Sequence, residues 1–212
     1  MGELKIGRMC MGPVQTNCYF VYDDETKKAV VFDVPCNGDV IYKRLKDNGI
    51  EVAGICLTHG HFDHIMGANE LRQAASVKIY AYEEEKDVCE DTHNNCTDQI
   101  GRLYTVKCNR YLKDGEEVDI DGIRFKVIAT PGHTKGSCCF YFEDAGLLIS
   151  GDTLFCGSIG RSDLPTGSEA TLIRSLNERL MCLPDEVQVY PGHGDQTTIG
   201  FERKNNPFIM EY

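Results

Sequence analysis

Short apolar blocks with strand-like alternation run through the first third of the chain. Leu4 to Cys10, Val14 to Tyr22 and Lys28 to Val34 are rich in β-branched and aromatic residues, and Asp23-Asp24-Glu25-Thr26 reads as the turn between the last two. From Gly38 to Asn48 the spacing becomes helical (Val40, Ile41, Leu45), with Gly49 placed to end it. A strand from Val52 to Leu57 precedes a second helical stretch, His64 to Ala75, and a short strand from Val77 to Tyr82. Between Glu83 and Arg110 periodicity fades into short helices and loop, a segment suited to covering a site. Strands return at Glu116 to Ile120 and Ile123 to Thr130 around the hairpin signal Asp121-Gly122. Two more, Ser137 to Glu143 and Leu147 to Ser150, flank Asp144-Ala145-Gly146. Ser168 to Met181 carries the clearest amphipathic stripe (Leu172, Ile173, Leu176, Leu180), and Val187 to Tyr190 is a last strand. No linker or composition break interrupts this order, so one domain over residues 1–212 is expected.

Composition narrows the class. A chain of 212 residues with 42% hydrophobic content can bury a full core. No apolar run approaches the roughly 18 residues of a membrane helix. The start, Met1-Gly2-Glu3-Leu4-Lys5-Ile6, lacks the basic-then-apolar shape of a signal peptide. Eleven cysteines, an odd number, lie mostly inside apolar runs such as those of Cys18, Cys56, Cys138 and Cys139, and no C-x-x-C occurs. Free cysteine behaves as a small buried hydrophobe, so a reducing cytoplasm is expected rather than a disulfide framework. The formal charge of −11 argues against a nucleic-acid partner, and no membrane partner is expected. A small anion stays open as substrate, because bound divalent cations would dominate the local field.

Candidate chemistry concentrates in Thr58-His59-Gly60-His61-Phe62-Asp63-His64, which holds three of the six histidines. A helical H-E-x-x-H zinc motif is excluded, since no His pair stands four apart and the segment follows a strand. Residues two apart on an extended chain share a side, so His59 and His61 can close on one metal while Asp63 and His64 face another. Four strand-like runs end in candidate ligands: Val52–Leu57 in His59, Phe125–Thr130 in Pro131-Gly132-His133, Leu147–Ser150 in Gly151-Asp152, and Val187–Tyr190 in Pro191-Gly192-His193. Loops beyond one set of strand ends form a shared rim. The predicted division places His59, His61 and His133 on one metal and Asp63, His64 and His193 on the other, with Asp152 as bridge. Two-metal hydrolytic sites hold their ions about 3.5–4 Å apart, a gap one carboxylate can span. His93, in Glu90-Asp91-Thr92-His93-Asn94-Asn95, is expected to be a solvated loop histidine. Gly157-Ser158-Ile159-Gly160 lacks the G-K-[ST] ending of a phosphate loop.

Thr-His-Gly-His-Phe-Asp-His, Pro-Gly-His-Thr, Gly-Asp-Thr-Leu-Phe and Pro-Gly-His-Gly, in this order, resemble the metallo-β-lactamase-fold hydrolases. The subgroup resembled is glyoxalase II (hydroxyacylglutathione hydrolase) and its small bacterial relatives, through Gly160-Arg161-Ser162-Asp163-Leu164-Pro165-Thr166-Gly167, Phe201-Glu202-Arg203 and Asn206-Pro207-Phe208. The likeness implies an α/β fold, a four-layer αββα sandwich of two mixed sheets with helices on the outer faces. It implies two divalent ions, zinc foremost, with iron or manganese accepted by the same ligands. A metal-bridging hydroxide would attack a small thioester or ester, with Asp63 orienting it and accepting its proton. Thr58 and Thr134 would support the ligands, and Asp33 would buttress the metal loop. Arg161 stands where the subgroup presents a Lys to the substrate carboxylate; pairing with Asp163 or Glu169 is the structural alternative. The C-terminal helical substrate domain of full-length glyoxalase II is not expected here. β-Lactamases differ in carrying Cys at the position of Asp152 and Arg or Ser at that of His64. The competing reading is a mononuclear iron persulfide dioxygenase, which Gly160-Arg161-Ser162-Asp163 also resembles.

Overall fold

Two β-sheets of six strands each face one another in the structure, a computed structural model that describes residues 2–209. The first sheet has the order β1 (Leu4–Met11), β2 (Thr16–Asp23), β3 (Lys28–Phe32), β4 (Glu51–Leu57), β5 (Lys78–Tyr82) and β6 (Arg110–Leu112). β1 to β3 form an antiparallel meander, whereas β3 to β6 are parallel and are joined through helices α1 (Gly38–Asp47), α2 (Phe62–Ile65), α3 (Ala68–Ala75) and α4 (Lys86–Glu90). The second sheet contains β7 (Glu117–Ile120), β8 (Ile123–Ala129), β9 (Cys138–Phe142), β10 (Leu147–Gly151), β13 (Gln188–Pro191) and β14 (Thr197–Thr198). A small hairpin, β11 (Leu154–Phe155) with β12 (Ser158–Ile159), follows β10, and α5 (Glu169–Ser175) and α6 (Ile199–Asn205) complete the chain.

Alternation along the strands sorts their side chains into three apolar layers. Ile55 and Leu57 of β4 face outward onto Ile41 and Leu45 of α1 and Leu71 of α3. Cys56 points the other way, between the sheets, with Val30, Phe32, Phe125, Phe140 and Phe142. Phe32 sits in the middle of that layer, with ring centroids of Phe125, Phe140 and Phe142 at 5.8, 5.2 and 5.8 Å. Such pairs add about 0.5–1.5 kcal/mol each beyond area burial, so this cluster is what clamps the sheets together. Leu172, Leu176, Leu180 and Ile199 cover the outer face of the second sheet against Leu148 and Val189. The result is the αββα sandwich. Among the described residues no helix is long and apolar enough to cross a membrane.

Several elements depart from the sequence reading, each for a local reason. The helix expected over His64–Ala75 is two helices, because Gly67 turns its N–H to Val34 O and breaks the register between Ile65 and Ala68. The amphipathic stripe of Ser168–Met181 is α-helical only through Ser175, and Leu176–Leu180 widens into a π-turn that keeps its leucines on the sheet. The segment 83–110 yields α4 and the edge strand β6. β11, β12, β14 and α6 carry too few periodic positions to be read from pattern.

Candidate metal centre

β8, β10 and β13 run in one direction, since β8 and β10 both pair antiparallel with β9 and β13 pairs parallel with β10. Their C-terminal ends therefore share one rim, and β4 of the opposite sheet ends at the same rim. Backbone bonds tie the two sides there: Cys138 N donates to Thr58 O at 2.9 Å and Asn17 N to Gly192 O at 2.7 Å, while Gly192 N donates to Gly151 O at 2.8 Å within the second sheet. His61 is the residue before α2, so Asp63 and His64 emerge from the first turn of that helix.

All seven predicted ligands converge. Ligand atoms of His59, His61 and His133 lie within 4.8 Å of one another, and so do those of Asp63, His64 and His193 and of His59, His64 and Asp152. Distances fix the contacts: His61 Nδ1 to His133 Nε2 is 2.8 Å, and His133 Nε2 to His59 Nε2 is 3.2 Å. On the other side His193 Nε2 lies 3.2 Å from Asp63 Oδ2 and 3.5 Å from Asp152 Oδ2, and His64 Nε2 lies 3.3 Å from Asp152 Oδ1. Asp152 faces both groups, because its Oδ2 is also 3.6 Å from His133 Nε2. Gly192 makes this approach possible: a Cβ there would meet Asp152 Oδ1 at 2.2 Å.

The remaining ring nitrogens determine what the converging atoms can do. His133 Nδ1 donates to Arg161 O (2.6 Å), and His193 Nδ1 to Val14 O (3.2 Å). Asp33 accepts from Thr58 N, Thr58 Oγ1 and His64 Nδ1, each at 2.8 Å. With its proton directed to Asp33, the Thr58 hydroxyl can only accept from His59 Nδ1 at 3.1 Å. Each of these four imidazoles thus holds its one neutral-state proton outward and turns a lone pair inward. Lone pairs facing lone pairs and carboxylates at 3.2–3.6 Å repel unless a cation or extra protons lie among them. His64 Nε2 and Asp152 Oδ1, buried and without hydrogen-bond partners, express the same demand. This donor set fits divalent metal ions.

Electrostatics divide the cluster. Burial holds His59 and His133 below the usual imidazole range and His61 down to about 3, reinforced in each case by neighbouring imidazoles. Burial also disfavours charge on His64 and His193, but the surrounding carboxylates outweigh it. Asp63, Asp152 and Asp33 hold His64 well up, and Asp152 and Asp63 raise His193 to about 9. Asp152 is correspondingly held well down: burial would raise it, but His64 and His193 prevail. Asp63 is further anchored by the Thr16 hydroxyl, which donates to its Oδ2 at 2.9 Å.

Arg161 does not extend freely toward the cluster. Its guanidinium, largely exposed, makes a bidentate pair with Asp163 at 2.7 and 2.8 Å, the structural alternative of the sequence reading. Its backbone carbonyl orients His133, a role side-chain reasoning could not find. His93 is exposed and bonds Asp98 (3.1 Å), away from the seven residues. The segment around it does reach the rim, where Phe62 N donates to Asn95 O at 2.9 Å. Two buried carboxylates escaped the sequence reading. Glu202 accepts from Gly157 N (3.1 and 3.0 Å) and from Thr197 Oγ1 (2.6 Å), holding the β11–β12 hairpin to α6. Glu85 accepts from Gly60 N and Thr134 Oγ1, between histidine loops. Glu85 sits in no motif, and Glu202, although part of Phe201-Glu202-Arg203, is given no role by it; burial and partners appear only in the fold.

Comparison with known proteins agrees with this geometry. The chain is 38% identical over 208 residues to the probable metallo-hydrolase YqgX of Bacillus subtilis, covering 97% of this chain and 98% of that one. It is 34% identical to hydroxyacylglutathione hydrolase GloC of Haemophilus influenzae, over 92% and 93% of the two chains. Among solved structures, BLEG-1 B3 metallo-beta-lactamase superposes with a TM-score of 0.92 at 36% identity, over 98% of this chain and 100% of that one. TTHA1623 in a di-iron-bound form gives 0.85 at 33%, over 96% and 100%. ETHE1 from Myxococcus xanthus gives 0.77 at 27%, over 96% and 83%. The family model for the metallo-beta-lactamase superfamily matches residues 11–193, from the end of β1 to the last clustered histidine, and the chain belongs to that superfamily.

Proposed function

We propose that the chain is a dinuclear metal-dependent hydrolase of a small thioester or ester, with His59, His61 and His133 holding one divalent ion, Asp63, His64 and His193 the other, and Asp152 between them. The observation that carries this is the position of Asp152, whose two oxygens address His64 and His193 on one side and His133 on the other. Two bound divalent ions supply hydroxide at neutral pH and polarise a carbonyl. The protein's own part is orientation. The Thr16 hydroxyl fixes Asp63 Oδ2, so this carboxylate is placed to align the attacking oxygen and accept its proton. Asp33 and Arg161 O hold His64 and His133 in the tautomers that leave their inner nitrogens free. The ring of Phe155 meets His193 edge-on, with centroids 6.0 Å apart, and gives the site an apolar wall.

The names of the relatives supply the substrate panel: a hydroxyacyl thioester of glutathione after GloC, and a β-lactam after BLEG-1. The likeness to ETHE1 keeps the iron dioxygenase reading as the named competitor. Zinc is proposed first, while the di-iron form of TTHA1623 supports iron as the alternative occupant. Metal analysis of protein purified without oxygen, followed by the panel and an oxygen electrode, decides between them. Two equivalents of metal with thioester cleavage and no oxygen uptake are expected. One equivalent of iron, unchanged in His193→Ala, with oxygen consumed on a persulfide, overturns the hydrolase reading.

A further inference from the structure

Glu85 is completely buried, and nothing in the proposed reaction uses it. It closes the turn between β5 and α4, and its side chain enters the seam between the two sheets at the rim. Oε1 accepts from Gly60 N at 2.7 Å, and Gly60 is the residue between His59 and His61. Oε2 accepts from Thr134 Oγ1 at 2.8 Å, and Thr134 directly follows His133. The fit is close, since a Cβ on Gly136 would lie 2.2 Å from Glu85 N. Thr134 is itself pinned, its N–H donating to Ser137 Oγ at 3.0 Å and its hydroxyl lying 2.7 Å from the same oxygen.

A buried carboxylate is costly unless its acceptor capacity is filled, and an apolar side chain of similar volume would pack this seam without that cost. What the carboxylate adds is a fixed distance. One group accepts simultaneously from a loop of the first sheet and a loop of the second. These are the two loops whose imidazoles approach to 2.8 and 3.2 Å. The exposed ion pair of Lys135 with Asp87 continues the same seam outward at 2.6 Å.

We propose that Glu85 is a positioning residue: it sets the gap between the His59–His61 loop and the His133 loop, and through that gap the affinity and geometry of the first triad for a divalent ion. This rests on the two-metal reading above. Outer partners of metal ligands are worth about ten- to hundred-fold in metal affinity.

The test titrates metal-free protein with Co(II), following visible absorption and competition with a chromophoric chelator, and His61→Ala marks which step belongs to the first triad. Glu85→Ala is expected to weaken that step about ten- to hundred-fold and alter its Co(II) spectrum, with the other step unchanged. Glu85→Gln should restore most of the loss, because its carbonyl can accept from Gly60 N while its amide faces the Thr134 hydroxyl. Thr134→Val cuts only one of the links and should weaken the same step by less. A folded Glu85→Ala protein with wild-type affinities and spectrum overturns the proposal. Should Glu85→Ala not fold, an unchanged first step in Thr134→Val overturns it instead. A wild-type chain that takes up one equivalent refutes the two-metal reading but leaves the Glu85 comparison intact; one that binds no Co(II) refutes both.

Discussion

At the scale of single residues, the histidines belong to two electrostatic classes although they share one cluster. His59, His61 and His133 are held low by burial, and His61 at about 3 is neutral at any working pH. His64 and His193 are held high by carboxylates, so without metal they carry protons at neutral pH, His193 up to about 9. A metal ligand must be neutral imidazole. Filling the second triad should therefore expel protons near neutral pH, and its affinity should climb as pH rises toward about 9. The first triad should fill with little proton release and little pH dependence. Calorimetric metal titrations in buffers of different ionisation enthalpy measure this; equal proton release for both steps contradicts the assignment. In the metal-free chain the sign for stability is opposite. His193 is raised, so its contribution is full below the unfolded value near 6.5 and is lost as pH climbs through about 9. Arg161 gives a second prediction at this scale. With its fork committed to Asp163, carboxylate binding must compete with that pair. Arg161→Ala should raise KM for acidic thioesters but not neutral ones, by about ten- to hundred-fold in kcat/KM if a charge-assisted contact of about 1.5–3 kcal/mol is lost. Asp163→Asn should do the reverse and lower KM for acidic substrates. Equal effects on acidic and neutral substrates would make the pair purely structural.

Among the elements, those with strong periodicity were legible, and so were the chemical groups placed directly after them. Strand β4 followed by His59, and β8 followed by His133, could be read because an apolar run stops abruptly at a Thr-His or Pro-Gly-His turn. Convergence could be anticipated from four such endings. Features that arise only in three dimensions were not legible. The carbonyl of Arg161 orients His133, but a backbone group has no residue identity to notice. Glu85 lies in the acidic run Glu83-Glu84-Glu85, where its neighbours are exposed and it is wholly buried. Charge alone makes the three look alike. The break at Gly67 and the π-turn at Leu176–Leu180 both preserve the apolar stripe that suggested one continuous helix, so pattern could not reveal them.

For the whole molecule, each triad draws on both sheets. His59, His61, Asp63 and His64 leave the end of β4, whereas His133 and His193 follow β8 and β13. A metal bound in either triad would thus be a clamp across the sandwich, alongside the phenylalanine cluster around Phe32. A ligand that binds only the folded chain stabilises it by RT ln(1 + [L]/Kd), about 4.1 kcal/mol at a thousand-fold excess over Kd. Chelation should accordingly lower the unfolding temperature by several degrees, and re-addition should restore it. A melting curve indifferent to chelator would mean that the metals do not bridge the sheets.

The order of these residues along the chain has a consequence during synthesis. A nascent chain emerging from the ribosome completes the His59, His61 and His133 set, and then Asp152, well before His193 is made. Arg161, whose carbonyl orients His133, follows soon after Asp152. His193 is the last of the seven to arrive and must dock against the waiting 12–17 hairpin, donating to Val14 O and bridging to Thr16. Translation thus finishes first the triad with few protons to shed, and only later the one whose protons a metal must displace.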